Sequence, residues 1–331
     1  MCIRDRLFVS GMYLRTKDPK WRQLQFFWVK VYGIVFAMGV ATGVVMEFEF
    51  GMNWAEYSRF VGNVFGSLLA AEGVFAFFLE GGFLGLMLFG GNRLGPRMWF
   101  LASFMVVFGA HFSAIWITAA NSWMQTPAGY ALQEDPLPVR AVMTDFWETV
   151  FTASFVTRLL HVFFASWTAG AALMASVGAW YILRKPQFAD LGKACLAISL
   201  PLFIVFSVAN GFIFGPESAR SVAENQPTKL AAMEGIYETE ENAPAYLFGW
   251  VDEGSGETIG LAVPGLLTFL SGQDVVTGIN DFEVAPTVVN LTFQSYHLMV
   301  GLGMAIIPFA VLAAGLWFWK RKLLDHRWAL W

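Results

Sequence analysis

Six runs of this 331-residue sequence are long and apolar enough to cross a bilayer, and they fix the backbone before any side chain is considered. They cover residues 26–46, 65–90, 98–120, 151–183, 194–214 and 288–319. Each meets the ~20 residues a helix needs to span the hydrocarbon core. No water reaches peptide groups there, so such a run must close its own hydrogen bonds as an α-helix. Hydrophobic residues make up 56% of the chain and charged residues 14%. The fold class that follows is an all-α polytopic membrane protein, which excludes soluble and nucleic-acid-binding classes. A shorter apolar piece, 7–14, precedes the first run, and another begins at His326. The opening residues do not read as a signal peptide. Cys2 and Cys195 are far apart and suggest neither a disulfide framework nor a CxxCH attachment site.

Basic residues alternate between loops. Arg15, Lys17, Lys20, Arg22, Arg93, Arg97, Arg184, Lys185, Lys193, Lys320, Arg321, Lys322 and Arg327 fall on one side, thirteen in all. The opposite loops hold only Arg59, Arg140, Arg220 and Lys229, together with most of the acids. The positive-inside rule places the first set in the cytoplasm. The expected organisation is a helical part over 1–214, a long outer loop over 215–285 and a last helical part over 286–331.

The second run carries Glu72 and Glu80 and no other charge. A carboxylate at helix-centre depth costs ~2.5–3.5 kcal/mol even on insertion scales, so it faces a bundle interior or a wet cavity. A regular helix sets the pair roughly 12 Å apart along the axis and roughly 80° apart around it. Neutralisation by a neighbouring helix is one reading, and an ion, proton or ligand site is the other.

Two outer segments, 121–148 and 215–285, are too long for plain connectors; they read as functional surfaces or as disorder. Of the four histidines, His326 falls in a basic loop and reads as solvated. His161 and Met299 each lie about thirteen residues inside the outer end of their runs, or ~20 Å of helix. A His and a Met at matched depth on two helices can ligate one haem iron axially. The alternative is a hydrogen-bonded packing histidine and a methionine that fills space. Arg158 lies one turn from His161 on the same face, where it can pair with a haem propionate or snorkel.

The run GVATGVVMEFEFGMNWAEYSRFVGNVFGSLLAAEGVFAFFLEGGFLGLMLFG resembles subunit I of the cytochrome bd quinol oxidases over its whole length. So do SAIWITAANSWMQTP, the His161 segment ending in SVGAWYILR, and TKLAAMEG in the long outer loop. The likeness is collinear from about Leu7 to the end of the sequence. It implies transmembrane helix bundles, a low-spin haem b ligated by His161 and Met299, and a high-spin pair of haem b and haem d. Glu72 matches a carboxylate at the high-spin haems, and Glu80 one on the proton route from the cytoplasm. Ser113 and Asn121 match polar positions near these sites. Lys229 and Glu234 match the pair in the outer loop implicated in quinol oxidation.

The function implied is a bd-type terminal oxidase in a bacterial or archaeal cytoplasmic membrane. It oxidises quinol at the outer loop and reduces oxygen to water with protons drawn from the cytoplasm, without pumping. Partners implied are subunit II, a small single-helix subunit, quinol, oxygen and the lipid bilayer.

Three departures stand beside the likeness. No counterpart of the family's first-helix histidine ligand precedes Leu7, and the family's last helices, with a glutamate ligand, have no counterpart after HRWALW. A sequence truncated at both ends is the expectation, inactive alone. His297, a cofactor-binding position, stands where the family usually has an arginine two residues before the methionine; the change either weakens a haem propionate contact or marks a divergent branch whose electron donor is not ordinary quinol. Two other functions remain open: a bd-like membrane cytochrome b performing electron transfer only, and an ion-coupled transporter using Glu72 and Glu80.

Overall fold

The computed structural model describes residues 3–135, 138–284, 286, 288–319 and 330. His326 and the four basic residues at 320–327 lie outside these. In chain order, the first helices are α1 (Ile3–Thr16), α2 (Pro19–Gly51), α3 (Ala55–Glu72), α4 (Phe78–Gly90) and α5 (Pro96–Gln125). A hairpin of β1 (Tyr130–Gln133) and β2 (Arg140–Met143) follows, then α6 (Phe146–Val150), α7 (Phe155–Arg184) and α8 (Ala189–Ala209). Then come α9 (Gly215–Asn225), α10 (Pro227–Glu234), β3 (Glu240–Glu241), β4 (Ala245–Asp252), β5 (Glu257–Val263), α11 (Leu266–Ser271) and β6 (Val275–Val276). The last helix described is α12 (Val289–Phe318).

Six helical stretches are long and apolar enough to cross a membrane: Pro19–Gly51, Ala55–Gly90, Pro96–Gln125, Phe155–Arg184, Pro186–Asn225 and Val289–Phe318. Four of them contain the matching sequence runs whole, while Phe155–Arg184 and Val289–Phe318 cover 151–183 and 288–319 except at their ends. Two are continuous only through π turns: Gly73–Phe77 joins α3 to α4, and Asn210–Phe214 joins α8 to α9. Large apolar side chains such as Phe78 and Phe89 remain exposed on these helices, as a surface meeting acyl chains requires.

The chain divides into two compact units. One comprises Met1–Phe155, Ser166–Phe203 and Leu316–Trp331, the other Val156–Ala165 and Ile204–Gly315. In the first unit, Asp18 starts α2: its carboxylate accepts from the Lys20 amide at 2.9 Å, and Pro19 occupies the first turn. Val29, Tyr32, Leu84, Met87, Trp99, Ala102 and Val106 form one core between α2, α4 and α5. Val9, Leu24, Trp28, Met174, Ala194 and Cys195 form a second, joining α1 and α2 to α7 and α8. Gly178 and Gly192 let the last two approach; a Cβ on Gly178 would lie 2.9 Å from the Gly192 carbonyl oxygen. Small residues commonly serve this purpose between membrane helices.

Within 121–148 the described residues include the β1–β2 pair, with Tyr130 opposite Met143. Trp123 donates to the Ala128 carbonyl at 2.9 Å, and Thr149 to the Gly129 carbonyl at 3.1 Å. In the second unit the described residues of the long loop are folded too. Val222, Leu230, Met233, Ile236, Ala245 and Leu267 share one core. Ala231, Ala232, Val251, Ile279, Val289 and Phe293 share another, which ties α10 to the start of α12.

Candidate functional site

In the first unit the two membrane carboxylates flank a π turn. Glu72 ends α3, Glu80 sits in the first turn of α4, and Gly73–Phe77 lies between them. A π turn bonds i to i+5 and absorbs one extra residue. The eight-residue separation then behaves like seven, which brings the two to within roughly 20° of one face. The ~80° expected from a regular helix is corrected accordingly.

Both carboxylates meet α5. The Ser113 hydroxyl donates to Glu72 Oε1 at 2.6 Å, a short hydrogen bond. One turn earlier, Gly109 presses on Glu80: a Cβ there would lie 3.2 Å from Ala76 O, Glu80 Cβ and Glu80 N. Glu80 is only 8% exposed. Asn121 lies two turns beyond Ser113 on α5 and is exposed. His111, one of the four histidines, is held on both ring nitrogens. Nδ1 bonds the Val107 carbonyl at 2.7 Å, and Nε2 accepts from the Trp167 indole N–H at 3.1 Å. An indole only donates, so the proton of this imidazole sits on Nδ1.

In the second unit His161 lies on α7 with its Nδ1 buried. Asn210, in the second π turn, is its polar neighbour: the two side chains interact, although neither His161 Nδ1 nor Asn210 Oδ1 reaches full hydrogen-bond geometry. Gly215 leaves room beside the ring, since a Cβ there would come to 3.9 Å from Nδ1. Met299, on α12, is 53% exposed. An imidazole steadied by an amide side chain and an accessible thioether, both in this unit, are a donor set that fits axial ligation of a low-spin haem. Among the described residues no three His, Cys, Asp or Glu side chains gather around a common point; axial ligation by two residues needs no such cluster.

Arg158, one turn before His161, donates to Gln226 Oε1 at 2.9 Å. Lys229 lies half-buried nearby, and its ammonium is pushed down by desolvation and then by the Arg158 charge. These two cations therefore meet at the junction of α9 and α10. Glu234, at the end of α10, is 5% exposed, and burial pushes its carboxyl up to about 7. Its Oε2 has no hydrogen-bond partner.

His297 stands beside Glu234, its Nε2 3.9 Å from Oε2. That nitrogen is nearer the Tyr246 carbonyl, at 2.8 Å, while Nδ1 lies 2.9 Å from the Phe293 carbonyl. Phe293 stacks on the ring at 3.9 Å between centroids. These contacts place His297 in a clamp between α12 and β4. Asn290, Gln294 and His297 line one face of α12 and bind the outer edge of β4. The Val251 amide donates to Asn290 Oδ1 at 3.1 Å, and Gln294 Nε2 donates to the Gly249 carbonyl at 2.7 Å. Gly249 and Val251 share an edge because a strand alternates. Tyr246 joins them through the register shift between Tyr246 and Phe248, where one extra residue reverses the alternation.

Sequence reasoning treated Glu234 and His297 separately, and it missed Asn210, Gln226, Asn290 and Gln294. The last two were detectable: with His297 they are polar residues at i, i+4 and i+7 in an otherwise apolar run. Asn210 and Gln226 carry no comparable pattern.

A family model described as cytochrome bd terminal oxidase subunit I matches residues 6–331. The chain is 39% identical over 290 residues to the cytochrome bd-II ubiquinol oxidase subunit 1 of Escherichia coli (strain K12), covering 87% of this chain and 54% of that protein. It is 34% identical over 344 residues to the cytochrome bd ubiquinol oxidase subunit 1 of Bacillus subtilis (strain 168), covering 97% and 70%. It thus spans about half the length of the first relative. The solved structure of bd oxidase from Geobacillus thermodenitrificans matches with a TM-score of 0.88 at 28% identity, covering 99% of this chain and 76% of that one.

Proposed function

The chain belongs to the cytochrome bd terminal oxidase subunit I family, and from that membership we propose that it is the quinol-oxidising part of a terminal oxidase that reduces oxygen to water. It works beside a second subunit in the cytoplasmic membrane, with the folded loop outside. The observation that carries this reading is the His161 imidazole in a membrane-length helix, with its buried Nδ1 beside the Asn210 side chain. An imidazole oriented through one ring nitrogen by a neighbouring oxygen is free to offer the other to a metal.

A haem b held by His161 and Met299 would supply one-electron transfer when bound. The rest of the work falls to side chains of the chain itself. Glu234 presents an unpartnered oxygen in a folded loop, with a proton affinity near neutral. It is suited to accept a hydrogen bond, then a proton, from a quinol hydroxyl. Lys229 and Arg158 supply positive charge at the same end of the unit and favour an anionic oxygen, either of the oxidising quinol or of a haem carboxylate. Glu72, with its Ser113 hydrogen bond, and Glu80 hold protons within the first unit. Glu80, nearer the basic end of its helix, takes them up from the cytoplasmic side. The family match over nearly the whole chain favours this reading over a transporter.

The test uses the full-length gene expressed with its partner subunit. Replacing His161 by Ala should abolish the low-spin haem signal in the reduced-minus-oxidised spectrum while the complex still assembles. An assembled variant with an unaltered spectrum overturns the assignment.

A further inference from the structure

Between α1 and α5, in the first unit, runs a groove of about 700 Å³ that the oxidase reading leaves unused. Its floor is opened by Gly11, where a Cβ would sit 3.6 Å from Phe100. Its wall on α5 is aromatic: Phe104 and Phe108 stack at 6.5 Å between centroids, and both are exposed. At one end stands His111, whose two ring nitrogens are already engaged by Val107 and Trp167. That end therefore offers apolar surface and no unsatisfied ring nitrogen.

The other end is different. Arg15 lines the mouth from α1. Arg97 lies one turn before Phe100, on the same face of α5. Both arginines are exposed, and neither has an ion-pair partner among the described residues. The nearby acid in sequence, Asp18, is spent on the first turn of α2. The groove thus asks for an apolar body and an anionic head.

Its length narrows the choice. From Phe100 to His111 a helix rises ~16 Å, about half of a ~30 Å hydrocarbon core. A groove of one leaflet's depth, starting at the basic end of the spans, fits an acyl chain whose headgroup stays at the interface. Basic pockets between membrane helices on the cytoplasmic side bind anionic headgroups by this arrangement.

We propose that this groove binds a phospholipid with an anionic headgroup, its acyl chain along Phe104 and Phe108 and its phosphate between Arg15 and Arg97. The site is separate from the quinol loop, and it shares with the functional reading only the assignment of the basic loops to the cytoplasm.

The experiment is native mass spectrometry of the full-length complex in mild detergent, titrated with phosphatidylglycerol or with phosphatidylcholine. The wild type should retain phosphatidylglycerol about fivefold better than phosphatidylcholine. The double variant Arg15→Gln, Arg97→Gln should lose that preference, and Arg15→Lys with Arg97→Lys should keep most of it. Gly11→Leu leaves both arginines in place but fills the floor, so it should lower phosphatidylglycerol retention on its own. It also keeps the test readable if the glutamine pair fails to assemble. Equal retention of the two lipids by the wild type overturns the proposal. So does undiminished phosphatidylglycerol binding by Gly11→Leu, or a wild-type complex in which another subunit or a second copy fills the groove.

Discussion

At Glu234 burial has a consequence for stability that can be signed. Its carboxyl is raised from 4.5 to about 7 in the folded loop. Between those values the folded protein holds a proton that the unfolded chain has released. Stability is therefore fullest below about pH 4.5, falls as pH rises through 7, and levels off above it. The loss is on the order of 3 kcal/mol. A glutamine has the same shape and no titration. Relative to the Glu234→Gln variant, wild-type Tm should fall between pH 5 and pH 8; parallel Tm curves would show that Glu234 is not desolvated in the folded loop. His297 does not offset this burial through a direct hydrogen bond, because its Nε2 faces the Tyr246 carbonyl at 2.8 Å and Glu234 only at 3.9 Å. Residue types were readable from the sequence here, but partners were not. Nothing in the spacing of Glu234 and His297, sixty-three positions apart, says that the loop folds back to bring them together.

The elements show why some of the site was legible and some was not. Helical runs and their charge-free centres follow from composition, so the six spans and the unusual position of Glu72 and Glu80 were visible. The π turn between them was not, since it is decided by packing against α5. Gly109 is the contact that permits this packing. Gly109→Val places methyl groups against Ala76 O and Glu80, already 3.2 Å from a bare Cβ, and should cost about 1–3 kcal/mol as overpacking. Tm should drop, and oxygen turnover should slow with the low-spin haem spectrum intact; unchanged turnover would separate the helix contact from the relay. The clamp of α12 on β4 makes a second case. Gln294→Leu removes the bond to Gly249 and leaves that carbonyl on an open strand edge, a loss of about 1 kcal/mol. Hydrogen exchange across β4 and β5 should then speed up several-fold while α10 stays protected. Exchange at the wild-type rate would mean that the hairpin is held by its own core and not by the stripe.

On the scale of the whole molecule, orientation follows from charge and not from fold, because the same helices could be inserted either way up. Arg15, Lys17, Lys20, Arg22, Arg93, Arg97, Arg184, Lys185 and Lys193 all fall among the described residues at one set of helix ends. The folded loop between α9 and α12, with its buried Glu234, belongs to the other set. If the positive-inside rule governs insertion, quinol protons leave on the side opposite to the one from which Glu80 is supplied. Charge then separates across the membrane without a pump. The direction of that separation depends entirely on the orientation, so orientation should be measured directly. Ser255, in the turn between β4 and β5, and Gln187, between α7 and α8, report the two sides. In intact spheroplasts a membrane-impermeant maleimide should label Ser255→Cys and should reach Gln187→Cys only after permeabilisation. The buried thiol of Cys195 contributes little background. The reverse pattern would put the loop in the cytoplasm. Quinol protons would then be released into the cytoplasm and Glu80 supplied from outside, so charge would separate with the opposite sign and the energy-conserving reading would fail even with every residue assignment intact.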